Sequence, residues 1–261
     1  MIKVNNVNSG VVKHDTSWKQ VGKWYDDIVS KEGHTYHQEV IFPALKKWLS
    51  FNDGDSVLDL GCGQGILARQ LPEKVSYLGL DLAKPLVQKA KGYSGHKFQV
   101  GDATKPLKIP KKDFSHVFMI LSLQNMEKGE EAVKNGATHL KEEGRLIVIL
   151  NHPCYRIPRQ SSWGVDENKK LQYRRVDRYL SPLEIPIQMH PSKKEKSEKT
   201  FSYHNPLSTY VEWMVKAGFS ITKLEEWHST KTSSGMKAKM ENRARKEFPL
   251  FLALEGTLTL K

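Results

Sequence analysis

The sequence predicts an α/β fold: a mostly parallel sheet with helices on both faces. Three observations predict it. Short, nearly continuous apolar stretches alternate with helical ones from residue 56 to residue 150, the pattern of strands buried on both faces. The first of them runs straight into glycines at 61, 63 and 65 ("VLDLGCGQG", 57–65). Such a turn lets a ligand approach the carboxyl ends of a parallel sheet. After Leu150 the alternation breaks off, and it resumes near the end of the chain as one helix and two strands.

Two helices are expected first. "WKQVGKWYDDIVS" (18–30) places Trp18, Val21, Tyr25 and Ile28 roughly on one face, and "YHQEVIFPALKKWL" (36–49) does the same with Val40, Ala44 and Trp48. The strand stretches are "SVLDL" (56–60), "SYLGLD" (76–81), "HKFQVG" (96–101), "SHVFMILS" (115–122) and "RLIVIL" (145–150), with helices over about 65–71, 84–92 and 127–141. Residues 151–205 carry prolines, basic residues and aromatics without periodicity, and a stretch that long inside a compact domain is usually functional. "PLSTYVEWMVKAGF" (206–219) reads as a helix opened by Pro206 and Ser208 and closed by Gly218. "FSITKLEEW" (219–227) and "FPLFLALEGTLTL" (248–260) are the last strands, joined by a polar, basic connector (229–247). One domain is expected. Residues 1–50 form an N-terminal helical lid, 51–150 the core, 151–205 a substrate-side insertion, and 206–261 the final helix and strands.

The formal net charge is +12. Such a field attracts nucleic acid, anionic membrane or acidic substrates, although lysines spread along the chain also fit a plain solvated surface. Cys62 and Cys154 lie far apart, which argues against a disulfide scaffold and fits a reducing compartment. No four-ligand Cys/His zinc pattern occurs, so no metal is expected. Residues 1–15 lack the apolar core of a secretory leader, and no stretch approaches a bilayer span. A cytoplasmic protein without membrane attachment is the expectation.

The glycine spacing separates two nucleotide readings. The dinucleotide fingerprint is G-x-G-x-x-G, but here the third glycine comes one position early and Ile66 stands in its expected place. Asp59 precedes the loop; a carboxylate there opposes a pyrophosphate and suits an ammonium group. Asp81 ends the second strand, where an acid can accept both ribose hydroxyls. Asp102 ends the third, and an ionised Asp only accepts hydrogen bonds, which suits the exocyclic amine of adenine. An adenosine bearing an amino acid satisfies all three, and S-adenosylmethionine is such a cofactor. The reading needs the three carboxylates on one rim of the sheet.

These motifs, in this order, resemble the class I S-adenosylmethionine-dependent methyltransferases, a Rossmann-like fold, in their small-molecule, type 11-like branch. "LDLGCGQG", with Asp59, Gly61, Cys62, Gly63 and Gly65, is similar to the family's first motif. "LGLDLA" resembles the ribose motif, which implies that Leu82 packs on adenine. "GDA" resembles the adenine-edge motif, implying a ring contact from the Ala103 amide. "FSHVFMILSLQN" resembles the fourth strand, whose end includes Leu121, although Ser115 stands where the family usually has an acid. The resemblance implies a seven-stranded sheet in the order 3-2-1-4-5-7-6 with the last strand antiparallel. It also implies a lid over the cofactor, with Tyr25 and the "HTYH" turn (Tyr36, His37) as lining candidates.

The acceptor side is expected in "NHPCYRIPRQSSW" (151–163). His152 is the candidate base, Tyr155, Arg156 and Arg159 the candidate substrate contacts, and the arginines could hold a carboxylate or phosphate. The expected acceptor is a small molecule. The alternative is RNA or protein drawn in by charge, with Cys154 as nucleophile in an RNA enzyme. A cofactor-binding protein without turnover is the third reading. Sequence leaves the oligomeric state open.

Overall fold

A computed structural model describes residues 34–188 and 199–259. The expected first helix, with Tyr25, lies outside the described residues. A π-helical turn, His37–Ile41, runs into α1 (Phe42–Trp48). Pro43 lacks an N–H, so the usual donor to the Glu39 carbonyl is missing; the chain widens by one residue and the Phe42 amide donates to the His37 carbonyl. Then come β1 (Ser56–Leu60), β2 (Ser76–Asp81), α2 (Lys84–Tyr93), β3 (Lys97–Val100), β4 (Phe114–Ile120), α3 (Gly129–His139) and β5 (Leu140–Asn151). Beyond them lie β6 (Ser161–Asp166), β7 (Leu171–Val176), β8 (Leu183–Gln188), β9 (Lys199–His204), α4 (Leu207–Lys216), β10 (Phe219–Trp227), α5 (Ala238–Glu247) and β11 (Phe251–Leu258).

Seven strands form one sheet in the order β10-β11-β5-β4-β1-β2-β3. The first five run parallel, and β11 runs antiparallel to both β5 and β10. This is the expected 3-2-1-4-5-7-6 order. The pleat sends alternate residues to opposite faces. Val57, Phe118, Ile147 and Ile149 meet Ile41, Phe42 and Leu45 of the N-terminal helix and Val87 and Ala90 of α2 on one face. Leu58, Leu60, Val117, Met119 and Val148 meet Ala132, Val133, Tyr210 and Met214 of α3 and α4 on the other. Ser115 takes a structural part at the base of the sheet. Its hydroxyl accepts the Ser56 amide at 2.8 Å and donates to the Ser56 carbonyl at 2.9 Å, joining β4 to β1.

Three expectations change. The helix expected over 65–71 is a series of turns ending in a 3-10 turn, Ala68–Gln70. Gly65 still has a left-handed φ of 73° and Pro72 follows, so too few residues remain for a helix. The unpatterned insertion contains two antiparallel hairpins, β6–β7 and β8–β9. The polar connector contains α5, which buries only Ala244. That helix is held by side chains docking on the preceding loop: Asn242 accepts the Ser233 amide at 2.7 Å, and Arg245 donates to the Ser233 hydroxyl at 2.6 Å. Among the described residues no helix is long and apolar enough to cross a membrane, and no group of side chains could hold a metal ion.

Candidate active site at the carboxyl rim of the sheet

The loop after β1 is shaped by glycines at φ 80°, 55° and 73° (Gly61, Gly63, Gly65). Sequence reasoning assigned the missing side chain at Gly61 to ligand approach. The structure gives a nearer reason: a Cβ there would overlap Ser122 Cβ and lie 2.9 Å from its Oγ. Ser122 is fixed in turn, because its hydroxyl donates to the Leu60 carbonyl at 2.7 Å. The Gly61 and Cys62 amides both donate to the Leu80 carbonyl, at 2.8 and 3.1 Å, which binds the loop to the end of β2.

Asp59 and Asp81 are close enough to raise one carboxyl against the other. Asp59 is 3% exposed, and its Oδ2 accepts the Tyr77 hydroxyl at 2.7 Å. Burial pushes its carboxyl up to about 7; the Tyr77 bond opposes that and Asp81 adds to it. Asp81 accepts the Gly63 amide on Oδ2 and the Ala83 amide on Oδ1, both at 2.8 Å. Burial still holds its carboxyl above the ordinary range. Cys62 is buried between these acids, and burial pushes its thiol well up. It fills space under Gly79, where a Cβ would meet Cys62 Sγ at 2.8 Å and the Tyr77 hydroxyl at 2.9 Å. Tyr77 was not singled out from sequence. The signal was available, since it lies on the same pleat face as Asp59, one strand over and two residues back.

Leu82, just past the acid, is 43% exposed. Asp102 stands at the same rim, and the Gly101 amide donates to the Asp81 carbonyl at 3.0 Å. Its carboxylate closes its own turn, accepting the Thr104 amide at 2.9 Å and hydroxyl at 2.6 Å and pairing with Lys105 at 3.1 Å. Burial alone would raise this acid; the Thr104 and Lys105 donors hold it below the ordinary range. Ala103 is buried, and its carbonyl accepts Asn135 at 2.7 Å. Leu121 ends β4 at a left-handed φ of 52°. Such strain in a non-glycine is sparse and clusters at functional sites. Its amide donates to Ile149 at 2.8 Å.

Beyond β5 the candidates separate. His152 is 1% exposed. Its Nε2 lies 2.7 Å from a Glu226 carboxylate oxygen, and its Nδ1 accepts the Cys154 amide at 3.2 Å. Burial lowers its pKa against the raising effect of Glu226. A neutral ring with Nδ1 accepting and Nε2–H donating has no lone pair left to take a proton. In this geometry both nitrogens of the expected base are engaged, one by Glu226 and one by the Cys154 amide. Tyr155 packs on His152 and Phe248, with ring centroids 4.9 and 5.5 Å apart. Arg156 lies over Trp163, while Arg159 is exposed on a turn at φ 60°. Burial, and after it the neighbouring Cys154, raises the Tyr179 hydroxyl above its ordinary range. On the lid side His37 packs against Phe42, and burial, with His34 beside it, pushes its pKa down to about 4.

The residues at the rim fit an adenosine that carries a cation. The acids there accept hydrogen bonds, an apolar side chain is exposed beside them, and the loop amides are already bound to carbonyls or to Asp81 rather than pointed at a phosphate. Residues 58–148 match the methyltransferase-domain family model. No curated protein matches the sequence. An S-adenosylmethionine-dependent methyltransferase from Mesorhizobium loti superposes with a TM-score of 0.64 at 24% identity, covering 82% of this chain and 96% of that one. One from Clostridium acetobutylicum gives 0.55 at 16%, covering 93% and 99%. A Haloferax volcanii protein solved with the Trm112 methyltransferase activator gives 0.60 at 18%, covering 93% and 96%. The fold is the one these methyltransferases share, and the domain match lies within its sheet. Residues 58–148 are a methyltransferase domain, with S-adenosylmethionine as its cofactor.

Proposed function

We propose that the chain is a single methyltransferase domain that transfers the sulfonium methyl to a small-molecule acceptor. The observation that supports a small acceptor is the path of the chain after β5. The β8–β9 hairpin lies against the turn that ends β4, where the Ser202 hydroxyl meets the Gln124 carbonyl at 3.5 Å. The β6–β7 hairpin packs on α5, with Trp163 5.5 Å from Phe248. Together they cover the ends of β4 and β5 where an acceptor would stand.

In this reading Asp81 accepts the ribose hydroxyls, Leu82 packs on adenine, and Asp102 and Ala103 take its edge. Asp59 faces the ammonium group, the Gly61–Gly65 loop and Leu121 border the amino-acid moiety, and Tyr25 and His37 belong to the lid. The bound sulfonium supplies an already activated methyl. The protein's part is to hold the acceptor in line, a role this reading gives to Tyr155 and Arg156. His152, clamped between Glu226 and Cys154, orients that turn. The two separated thiols suit the reducing cytoplasm.

A macromolecular acceptor is the second reading, favoured by the +12 charge and by the likeness to the protein solved with Trm112. Incubating the protein with methyl-labelled cofactor and a cell extract, then fractionating, separates the two. Label is expected in small metabolites; label in RNA or protein overturns the reading. Cys154→Ala is expected to keep full activity, which excludes a covalent cysteine route.

Asp59 makes cofactor binding pH-dependent. Its folded pKa, about 7, lies above its ordinary value, so its contribution to apo stability is full at low pH and is lost as pH rises through 7. An ammonium group prefers the ionised form, so proton and cofactor compete. Calorimetry is expected to show cofactor affinity falling by up to about tenfold per pH unit below 7 and levelling off above it. Asp59→Asn should bind more weakly and without this pH dependence; an unchanged profile would remove Asp59 from the site.

A further inference from the structure

Two arginines near the end of β5 share the ring of Trp163, and among the described residues neither forms an ion pair with an acid. Arg156 lies in the turn leaving that strand, its amide donating to the His152 carbonyl at 2.7 Å. Arg174 comes from β7, where the register sets it directly across from Trp163. Both guanidinium carbons lie over the Trp163 ring, at 5.7 and 5.1 Å from its centroid. Among the described residues the acceptors of Arg174 are neutral: its Nε donates to the Tyr155 carbonyl at 2.7 Å and its Nη2 to the Ser161 hydroxyl at 2.8 Å. The Arg156 Nε is buried with no hydrogen-bond partner. Three other arginines do meet acids: Arg175–Asp177 at 2.9 Å, Arg245–Glu241 at 3.4 Å and Arg145–Glu255 at 3.9 Å. The carboxylate nearest His152, Glu226, is bound to the ring of that histidine.

Burial depresses both guanidinium groups, and the charge of Arg156 depresses Arg174 further. Two part-buried like charges cost free energy unless something negative completes them. A guanidinium fork matches the two oxygens of a carboxylate or phosphate, and stacking on an aromatic ring holds the fork in place. The turn that carries Arg156 leaves β5 at its carboxyl end, on the rim that carries the cofactor acids, with β4 between β5 and β1.

We propose that Arg156 and Arg174, held over Trp163, form an oxyanion site that binds a carboxylate or phosphate of the methyl acceptor. This rests on the reading of the covered rim as the acceptor side. It narrows the acceptor to small anionic molecules and assigns Trp163 and Arg174 to substrate recognition. Arg159 has no part in it.

The test uses the full chain and two probes, inorganic phosphate and malonate, titrated at constant ionic strength and followed by tryptophan fluorescence. A saturable response is expected in the unaltered protein. Arg156→Gln and Arg174→Gln should each weaken it by about tenfold or more, while Arg243→Gln, an exposed arginine, should not. Arg174→Lys keeps the charge, loses the fork, and should still bind several-fold more weakly. S-adenosylmethionine binding, measured on the same variants by calorimetry, should be retained in all of them, showing that they are folded. If neither probe saturates, or the variants respond as the unaltered protein does while the cofactor still binds, the oxyanion site is overturned and the methyltransferase reading stands. If a short RNA binds through these two arginines and the small anions do not, the small-acceptor assignment is overturned in favour of a phosphodiester. Loss of cofactor binding by the unaltered protein would instead strike the underlying reading.

Discussion

Gly61→Ala is expected to destabilise the protein by about 2–5 kcal/mol. Two costs add. The new Cβ would overlap Ser122 Cβ, in a region where Ser122 cannot retreat without giving up its bond to the Leu60 carbonyl. Overpacking of this kind costs about 1–3 kcal/mol. The backbone at φ 80° adds about 1–2 kcal/mol for any residue with a Cβ. Chemical denaturation measures the sum. The two costs separate in Gly61→Ala combined with Ser122→Gly, which removes the overlap and leaves the strained φ. About half of the loss should return on net. If Gly61→Ala were as stable as the parent, the account of this loop as packed against the end of β4 would be wrong. Cofactor affinity should fall with stability, because the same turn sets the Gly63 amide on Asp81.

The core of the fold could be read from sequence because each of its signals is local. β1, β2, β4 and β5 are near-continuous apolar runs, which only a sheet covered on both faces buries, and each rim acid stands in the last residues of its strand or just past them. The hairpins were hidden for the opposite reason. β6 and β7 are half-exposed along their length, so neither shows clean alternation, and a two-stranded ribbon buries too little to need it. α5 is polar all round and has no apolar stripe to announce it. At the site, residue types were legible and their partners were not. "NHPCY" presents a histidine; that both its nitrogens are taken depends on Glu226, far along the chain on β10. Arg156 was visible as a basic residue after β5, but Trp163 and Arg174 acquire meaning only through the β6–β7 register, which no short stretch contains. Ser115 departs from the family's usual acid, and the structure shows it serving to join β4 to β1 at the strand start, away from the rim.

Asp81→Ala should weaken S-adenosylmethionine binding by about 1–3 kcal/mol, roughly five- to two-hundredfold, the cost of leaving ribose hydroxyls without an acceptor. The free protein should suffer as well. Each Asp81 oxygen accepts one backbone amide, from Gly63 and from Ala83, and the truncation leaves both donors unmatched. Asp81→Asn divides these effects. Its single carbonyl oxygen can satisfy one amide while its NH2 opposes the other, so stability should fall part of the way. Affinity should fall further, since a neutral amide with one acceptor cannot serve two hydroxyls as a carboxylate does. Burial raises the Asp81 carboxyl, so the protonated form mimics the asparagine variant. The parent's affinity should therefore drop at low pH, and that of Asp81→Asn should lack the part of this drop that Asp81 supplies. Calorimetry across pH, alongside thermal unfolding, reads all three proteins. Unchanged affinity in Asp81→Ala would mean that the end of β2 does not hold the ribose, and the site would have to be sought elsewhere on the rim.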